Sequence, residues 1–296
     1  MKEKIIIDTD PGVDDALALI MLEKTDLFDI RAVTTVAGNS TIQNVTNNAA
    51  YILELAESKA PLFSDAAKPL KKKLFTAKSH GKKGLDGIKN IKHVPLTGDA
   101  PERIVEIIKK YPNQITIVAI GPLTNIATAF LLDPEIPKLI KKLIIMGGGI
   151  DIGNVTKSAE FNFFVDPEAT RVVFESNVPK VLITLNVCYK TPVVVEDFEK
   201  LKDSKLYDPI LSMIRPYKKG LEKYEGNEMR GIVLYDVLAA YYLVNPGAFC
   251  ILKANMNITK EGQVKLTVDN ADYNTEIVQD VVKEDFIKDF FDWLGC

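Results

Sequence analysis

Ile5-Ile6-Ile7-Asp8-Thr9-Asp10-Pro11-Gly12-Val13-Asp14-Asp15-Ala16-Leu17-Ala18-Leu19-Ile20, near the start of the chain, sets the architecture. Three consecutive isoleucines read as a strand buried on both faces, Pro11-Gly12 as a sharp turn, and the run from Val13 as an apolar helix. Four carboxylates therefore crowd the carboxyl end of the first strand and the start of the helix behind it. Like charges this close push protons onto one another unless a cation, a helix N-terminus or a shared proton neutralises them. Asp8 and Asp10 share one face of the strand, whereas Asp14 and Asp15 diverge by about 100° on the helix. One of the second pair can then reach a metal while the other reaches a ligand, and hard oxygen donors of this kind suit calcium or magnesium. A lone acid here would only complement the helix dipole. A cluster of four, where open α/β sheets bind ligands, points to a metal or substrate site.

The 296 residues, 47% of them hydrophobic, suffice for one large α/β domain or two small ones. No linker or internal repeat divides them, so residues 1–296 read as one domain. A net charge of −3 gives no reason to expect a nucleic-acid partner, and the lysine run at residues 71–73 is short enough for a solvated face. No stretch approaches the roughly 18 apolar residues of a membrane span, and the apolar run before Asp8 is too short for a signal peptide. Cys188, Cys250 and Cys296 show no metal-ligand spacing. A reducing, cytoplasmic setting is expected, with Cys188 a buried structural residue rather than a catalytic thiol.

Farther along, residues 30–37 read as a second strand and residues 45–56 carry helical spacing that ends before Pro61. Strand and helix in alternation favour a mostly parallel sheet flanked by helices, an α/β, Rossmann-like architecture. Residues 61–99, rich in lysine and glycine, read as a shaped loop around His80-Gly81 and Gly84-Leu85. Residues 101–111 read as an amphipathic helix, 115–120 as a buried strand, 124–132 as a helix and 143–146 as another strand ending in Gly147-Gly148-Gly149. That triplet does not complete a dinucleotide fingerprint and instead suits a tight turn or close backbone approach to a ligand. Glu160 and Asn162 point one way if their backbone is extended, an arrangement suited to sugar hydroxyls; the other reading is a helix-entry turn held by caps. Residues 181–185 read as a strand, 254–258 and 264–268 as a β-hairpin, and 275–294 as a closing amphipathic helix.

Asp8-Thr9-Asp10-Pro11-Gly12-Val13-Asp14-Asp15 resembles the signature of the nucleoside hydrolases, calcium-dependent enzymes that cleave the bond between base and ribose. The resemblance continues, in order, through Thr34-Thr35-Val36-Ala37-Gly38-Asn39, the His80 loop, residues 121–127, Met146-Gly147-Gly148-Gly149, Glu160-Phe161-Asn162 and Asp166-Pro167-Glu168-Ala169. It implies that Asp10, Asp15 and Asp236 bind calcium with the backbone carbonyl of Ile120. Asp14, Asn39, Asn154, Glu160 and Asn162 would hold the ribose, with Met146 under its ring and His80 and Phe161 near the base. It further implies that Asp10 accepts a proton from the attacking water, that the sugar develops oxocarbenium character, and that the protein forms a homodimer or homotetramer.

Relatives that prefer inosine and uridine carry His-Asp where this chain has Tyr235-Asp236. Tyrosine, with an ordinary pKa near 10, is a weaker acid at neutral pH than histidine near 6.5. Of the two histidines, His80 is the candidate for the base pocket and His93 a surface residue; Tyr224, Met229 and Arg230 are placed near the pocket by position alone. Tyr235 and His80 thus join Asp10 as catalytic candidates. Two other readings use the same stretch: a nucleoside-binding protein without turnover, suggested by the missing histidine, and a magnesium-dependent phosphatase of the haloacid dehalogenase type. The phosphatase signature expects threonine where Gly12 stands.

Overall fold

The structure, a computed structural model, describes residues 2–224, 231–267 and 273–295. Met229 and Arg230 lie outside the described residues, as do Val268, the last residue of the expected hairpin, and Cys296. In chain order the elements are β1 (Glu3–Thr9), α1 (Val13–Lys24), β2 (Phe28–Thr35), α2 (Ile42–Leu55), β3 (Leu62–Ser64), α3 (Ala100–Lys110), β4 (Ile115–Ala119) and α4 (Thr124–Leu132). There follow β5 (Lys142–Met146), α5 (Phe161–Val165), α6 (Pro167–Glu175), β6 (Lys180–Ile183), α7 (Leu185–Cys188), α8 (Tyr207–Tyr224) and α9 (Tyr235–Val244). The C-terminal part contains β7 (Phe249–Ile258), β8 (Val264–Thr267), β9 (Thr275–Val281) and α10 (Lys283–Gly295).

One nine-stranded sheet runs in the order β3-β2-β1-β4-β5-β6-β9-β7-β8. Pairing is parallel from β3 through β9 and antiparallel where β7 joins β9 and β8. The three isoleucines of β1 divide between two cores because side chains alternate along a strand. Ile5 and Ile7 pack on one face with α1, α8, α9 and α10, and Ile6 on the other with α3, α4 and α6. Helix α1 is apolar all round, buried from Val13 to Leu22, because it is wedged between the sheet and α8, α9 and α10.

This order places the site. From β1 the chain moves outward to β2 and β3 and then returns to β4 on the other side of β1. The loops after β1 and β4 therefore diverge at their carboxyl ends and leave a crevice between them. Asp10 leaves β1 into that crevice, and Ile120 leaves β4.

Four local expectations are corrected. Residues 275–294 are not one helix: residues 275–281 form β9, which fills the gap between β6 and β7, and the helix begins at Lys283. Buried Thr275, Ile277 and Val278 against exposed Gln279 and Asp280 suit a strand, and the pairing partners on both sides decide the matter. Within the stretch read as loop, Leu62–Ser64 pairs with β2 as a short edge strand. The strand expected over residues 181–185 stops at Ile183, and Leu185 opens α7. Glu160 and Asn162 do not lie on extended backbone: Glu160 caps α5, accepting from the amides of Asn162 and Phe163, so the helix-entry reading describes the local geometry.

Candidate active site

The floor of the crevice is acidic. Thr9 Oγ1 donates to Asp15 Oδ1 at 2.6 Å, and the amides of Asp10 and Gly12 donate to the same carboxylate at 3.2 and 2.9 Å. Asp15 thereby closes the β1–α1 turn on itself, the carboxylate half of a capping box. Asn39 follows β2 and links both acids: its amide donates to Asp10 Oδ2 at 2.6 Å and its Nδ2 to Asp15 Oδ2 at 3.1 Å. This close approach requires Gly38, where a Cβ would stand 2.1 Å from Asp10 Oδ2. Below, Asp8 turns toward α4, accepting from Thr34 Oγ1 at 2.5 Å and Asn125 Nδ2 at 2.9 Å, and burial pushes its carboxyl up to about 7.

Asp236 comes from the far side of the sequence. It sits in the first turn of α9, which begins at Tyr235, and α9 packs on α1. Ligand oxygens of Asp14, Asp15 and Asp236 lie within 4.8 Å of one another, all three side chains buried. Asp10 stands beside this triad rather than in it. Burial and then the charge of Asp15 hold the Asp10 carboxyl well above the ordinary aspartate range; burial and then the charges of Asp14, Asp15 and Asp10 do the same to Asp236. Burial also raises Asp15, against the hydrogen bonds it accepts. Asp10 Oδ1 is buried and accepts no hydrogen bond among the described residues. An orphaned carboxylate oxygen beside three converging acids is a donor set that a hard divalent cation satisfies.

Above the floor lies a cavity of about 240 Å³. Asp14, Asn39, Ile120, Met146, Asn154, Glu160, Asn162 and Asp236 line its polar side. Asn162 Nδ2 donates to the carbonyls of Ile120 (3.0 Å) and Met146 (3.2 Å), tying the ends of β4 and β5 to α5. Glu160 accepts from the Gly148 amide at 2.8 Å, so the glycine run after β5 serves as a close backbone approach to this carboxylate. Asp10 and Asp15 sit beneath the lining rather than in it.

His80, Phe161, Tyr224 and Tyr235 also line the cavity, His80 with its Nδ1 3.9 Å from Asp14 Oδ1. His80 Nδ1 accepts from the Val13 amide at 3.1 Å, and its ring stacks on Tyr217 at 4.7 Å. Burial pushes its pKa down to about 3, so the imidazole is neutral and carries its hydrogen on Nε2. It can donate a hydrogen bond but has no imidazolium proton to give at neutral pH. Tyr235 is 6% exposed and meets Tyr189 edge to face. Cys188 is buried near Glu160 and Asp14; burial first, and those acids second, push its thiol up, as expected of an inert structural cysteine.

Of the singled-out site residues, Asp10 and Asp15 lie in the floor and Asp14, Asn39, His80, Ile120, Met146, Asn154, Glu160, Phe161, Asn162, Tyr224, Tyr235 and Asp236 in the lining, while Met229 and Arg230 lie outside the described residues. Missed from the sequence were Phe75, Thr76, Ala77, Lys78 and Ser79, which form one wall of the cavity, with Phe75 against Phe161 at 6.3 Å between ring centroids. An aromatic in a lysine-rich loop five residues before His80 was the available signal.

Residues 5–288 match the family model described as inosine-uridine preferring nucleoside hydrolase. The pyrimidine-specific ribonucleoside hydrolase RihA of Salmonella paratyphi B is 32% identical over 96% of this chain and 95% of its own length. Among solved structures, the plant nucleoside hydrolase PpNRh1 superposes with a TM-score of 0.93 at 27% identity, covering 100% of both chains. The purine-preferring ribonucleoside hydrolase from Gardnerella vaginalis gives 0.91 at 27% identity, over 99% of this chain and 98% of its own. A match that spans nearly the whole chain, over a sheet that delivers the same signature acids to one crevice, leaves one assignment: the chain belongs to the inosine-uridine preferring nucleoside hydrolase family and is an enzyme of that kind.

Proposed function

We propose that this enzyme hydrolyses the N-glycosidic bond of a ribonucleoside to ribose and free base in a calcium-dependent reaction serving nucleoside salvage. The observation that carries the reading is the convergence of Asp14, Asp15 and Asp236, beside the orphaned Asp10 oxygen, at the floor of a cavity walled by amides, carboxylates and aromatic rings. Asp10, Asp15, Asp236 and the Ile120 carbonyl would hold the ion. When bound, calcium would offset the charge of these acids and polarise a water for attack.

The rest is work for the chain's own side chains. Asp14, Asn39, Asn154, Glu160 and Asn162 hold the ribose, and Met146 supports its ring. Asp10 accepts a proton from the attacking water. The surrounding carboxylates stabilise the positive charge that develops on the sugar as the base departs. Departure requires electron density on the base to be met by a hydrogen-bond donor. Neutral His80, through Nε2–H, and the Tyr235 hydroxyl fill that role; neither needs to be an ordinary acid at neutral pH. Phe161, with Phe75, supplies an aromatic face for the base.

The relatives act on different bases: RihA is named pyrimidine-specific, and the Gardnerella enzyme purine-preferring. The substrate is therefore proposed as a class, a ribonucleoside, rather than one compound. The enzyme is further proposed to be a cytoplasmic homodimer or homotetramer, which sedimentation would test; among the described residues no helix is long and apolar enough to cross a membrane. The deciding experiment is ribose release from a panel of purine, pyrimidine and modified ribonucleosides, before and after calcium chelation. Release that chelation stops and calcium restores supports the proposal. Nucleoside binding without release would favour a non-catalytic binder, and phosphate release from phosphomonoesters with magnesium would favour a phosphatase.

A further inference from the structure

The ribose wall of the cavity hangs on α5, a helix of five residues. A single turn makes too few hydrogen bonds to hold itself in water, so its position is set by what packs on it. On the cavity side, the Gly148 amide donates to Glu160 and the Phe161 amide to Asn154 Oδ1 at 2.9 Å. On the outer side stands the turn between β7 and β8. Gln263 forms an isolated antiparallel bridge with Ala159, and its Nε2 donates to Ser158 Oγ at 2.8 Å.

That turn is closed on itself. Thr259 Oγ1 accepts from the amides of Glu261 (3.2 Å) and Gln263 (3.1 Å), and the Thr259 carbonyl from the amide of Gly262 (3.1 Å). Gly262 has φ +82°, and a Cβ there would lie 2.5 Å from the Phe163 carbonyl oxygen and 2.9 Å from the Phe164 nitrogen. Met256, Ile258 and Val264 are buried in the same cluster as Phe163, which anchors the hairpin below the turn.

We propose that the β7–β8 turn, through Gly262 and Gln263, is a positioning element for the ribose side of the site, fixing residues 158–163 and with them Glu160 and Asn162. The inference rests on the reading that this cavity takes a ribonucleoside. Neither Gly262 nor Gln263 lines the cavity, so both act through α5 and the segment before it. Among the described residues no hydrogen bond joins the turn to His80 or Tyr235, and of the base contacts only Phe161 lies in the fixed segment, so ribose contacts respond to the turn more strongly than base contacts do.

The test is calorimetric binding of ribose and of free base, with calcium present, to the wild-type protein and to Gln263→Ala, Gly262→Ala and Ser158→Ala, together with KM and kcat for a hydrolysed nucleoside. Contacting residues couple measurably, so Q263A and S158A should each weaken ribose binding about threefold and G262A about tenfold or more. Free-base affinity should change less than ribose affinity, KM should rise more than kcat falls, and the double variant S158A/Q263A should be no worse than either single. Unchanged ribose affinity in Q263A and S158A, or base affinity falling in step with it, overturns the proposal. Should G262A fail to fold, Q263A and S158A break the same contact from its two ends and carry the test. A wild-type protein that neither binds ribose nor releases it rejects the function itself, an outcome visible before any variant is made.

Discussion

The acid floor of the cavity stands on strand ends and the first turns of buried helices, whereas the wall formed by residues 75–80 is loop throughout. In the floor, Asp8, Asp10, Asp15 and Asp236 are buried, and Asp15 alone accepts four hydrogen bonds no longer than 3.2 Å. In the wall, Phe75 is 41% exposed, and Tyr224, which lines the same cavity, is 47% exposed. The loop is fastened at a few points: Leu70 N to Asp166 at 2.8 Å, Lys72 over the Phe164 ring, and the Lys82 carbonyl to Ser40. A group fixed by the sheet cannot move without disturbing two cores, whereas a loop side chain can change with little effect on stability. On the proposed function, the floor fixes the reaction and the wall is where base choice can vary. A sequence relative named pyrimidine-specific and a solved structure named purine-preferring fit that division.

The comparison breaks most readily at Asp10. Asp10→Asn should lower kcat by about 10³-fold for every base tested, since a positioned general base contributes up to about 10⁴. A loss that differed between bases would mean that floor and wall are not separable. Next in size is Asp236→Asn, expected to weaken calcium affinity by at least about tenfold by analogy with losses at metal-supporting residues. The same variant should raise the melting temperature of the metal-free protein, because Asp236 is repelled by Asp14, Asp15 and Asp10. The sign follows from linkage: these acids titrate higher in the fold than the ordinary 3.8, so the metal-free protein loses stability as pH rises above that value. A thermal shift series over pH, with and without calcium, reads both effects.

His80 joins the two regions. His80→Phe should lower kcat about a hundredfold and His80→Gln, which retains an N–H donor, about tenfold, in the range of one lost donor to a developing charge. With its pKa at about 3 in the fold, His80 should produce no limb near 6.5 in the rate profile. It should instead withdraw stability as pH falls from 6.5 toward 3, because the unfolded chain takes up the proton first. A rate limb near 6.5 that vanished in His80→Gln would contradict this. The smallest effect is expected at Phe75→Ala: a change of about threefold to tenfold in relative kcat/KM between bases through lost aromatic contact, with ribose affinity unchanged.

Much of the floor is legible in the amino-acid sequence. The buried strand, the turn and the apolar helix follow from the isoleucine run, Pro11-Gly12 and the continuous apolar stretch after Val13, and the structure places them accordingly. The four acids were visible as a cluster because they are adjacent in the chain. Residues 275–281 were misread because a short stretch rich in Ile and Val fits either period, and only the partners β6 and β7 distinguish strand from helix. Glu160 and Asn162 both line the cavity, Glu160 as the cap of α5 and Asn162 in its first turn rather than together on an extended segment. Phe75 could not be assigned from its position, since a loop carries no periodicity to say which way its side chains face.

The local and the periodic follow from the order of residues alone: the parallel α/β architecture, the strand-turn-helix that gathers Asp8, Asp10, Asp14 and Asp15, and the expectation of a cation among them. Whatever depends on segments far apart in the chain is settled only by the folded packing. The packing of α9 on α1 delivers Asp236 to Asp14 and Asp15, Val13 fixes the tautomer of His80, and the β7–β8 turn bridges to the segment before α5. The reason is physical. Propensity and pattern act over a few residues, whereas the pKa of a buried carboxyl or imidazole is set by burial and by which groups the fold places beside it.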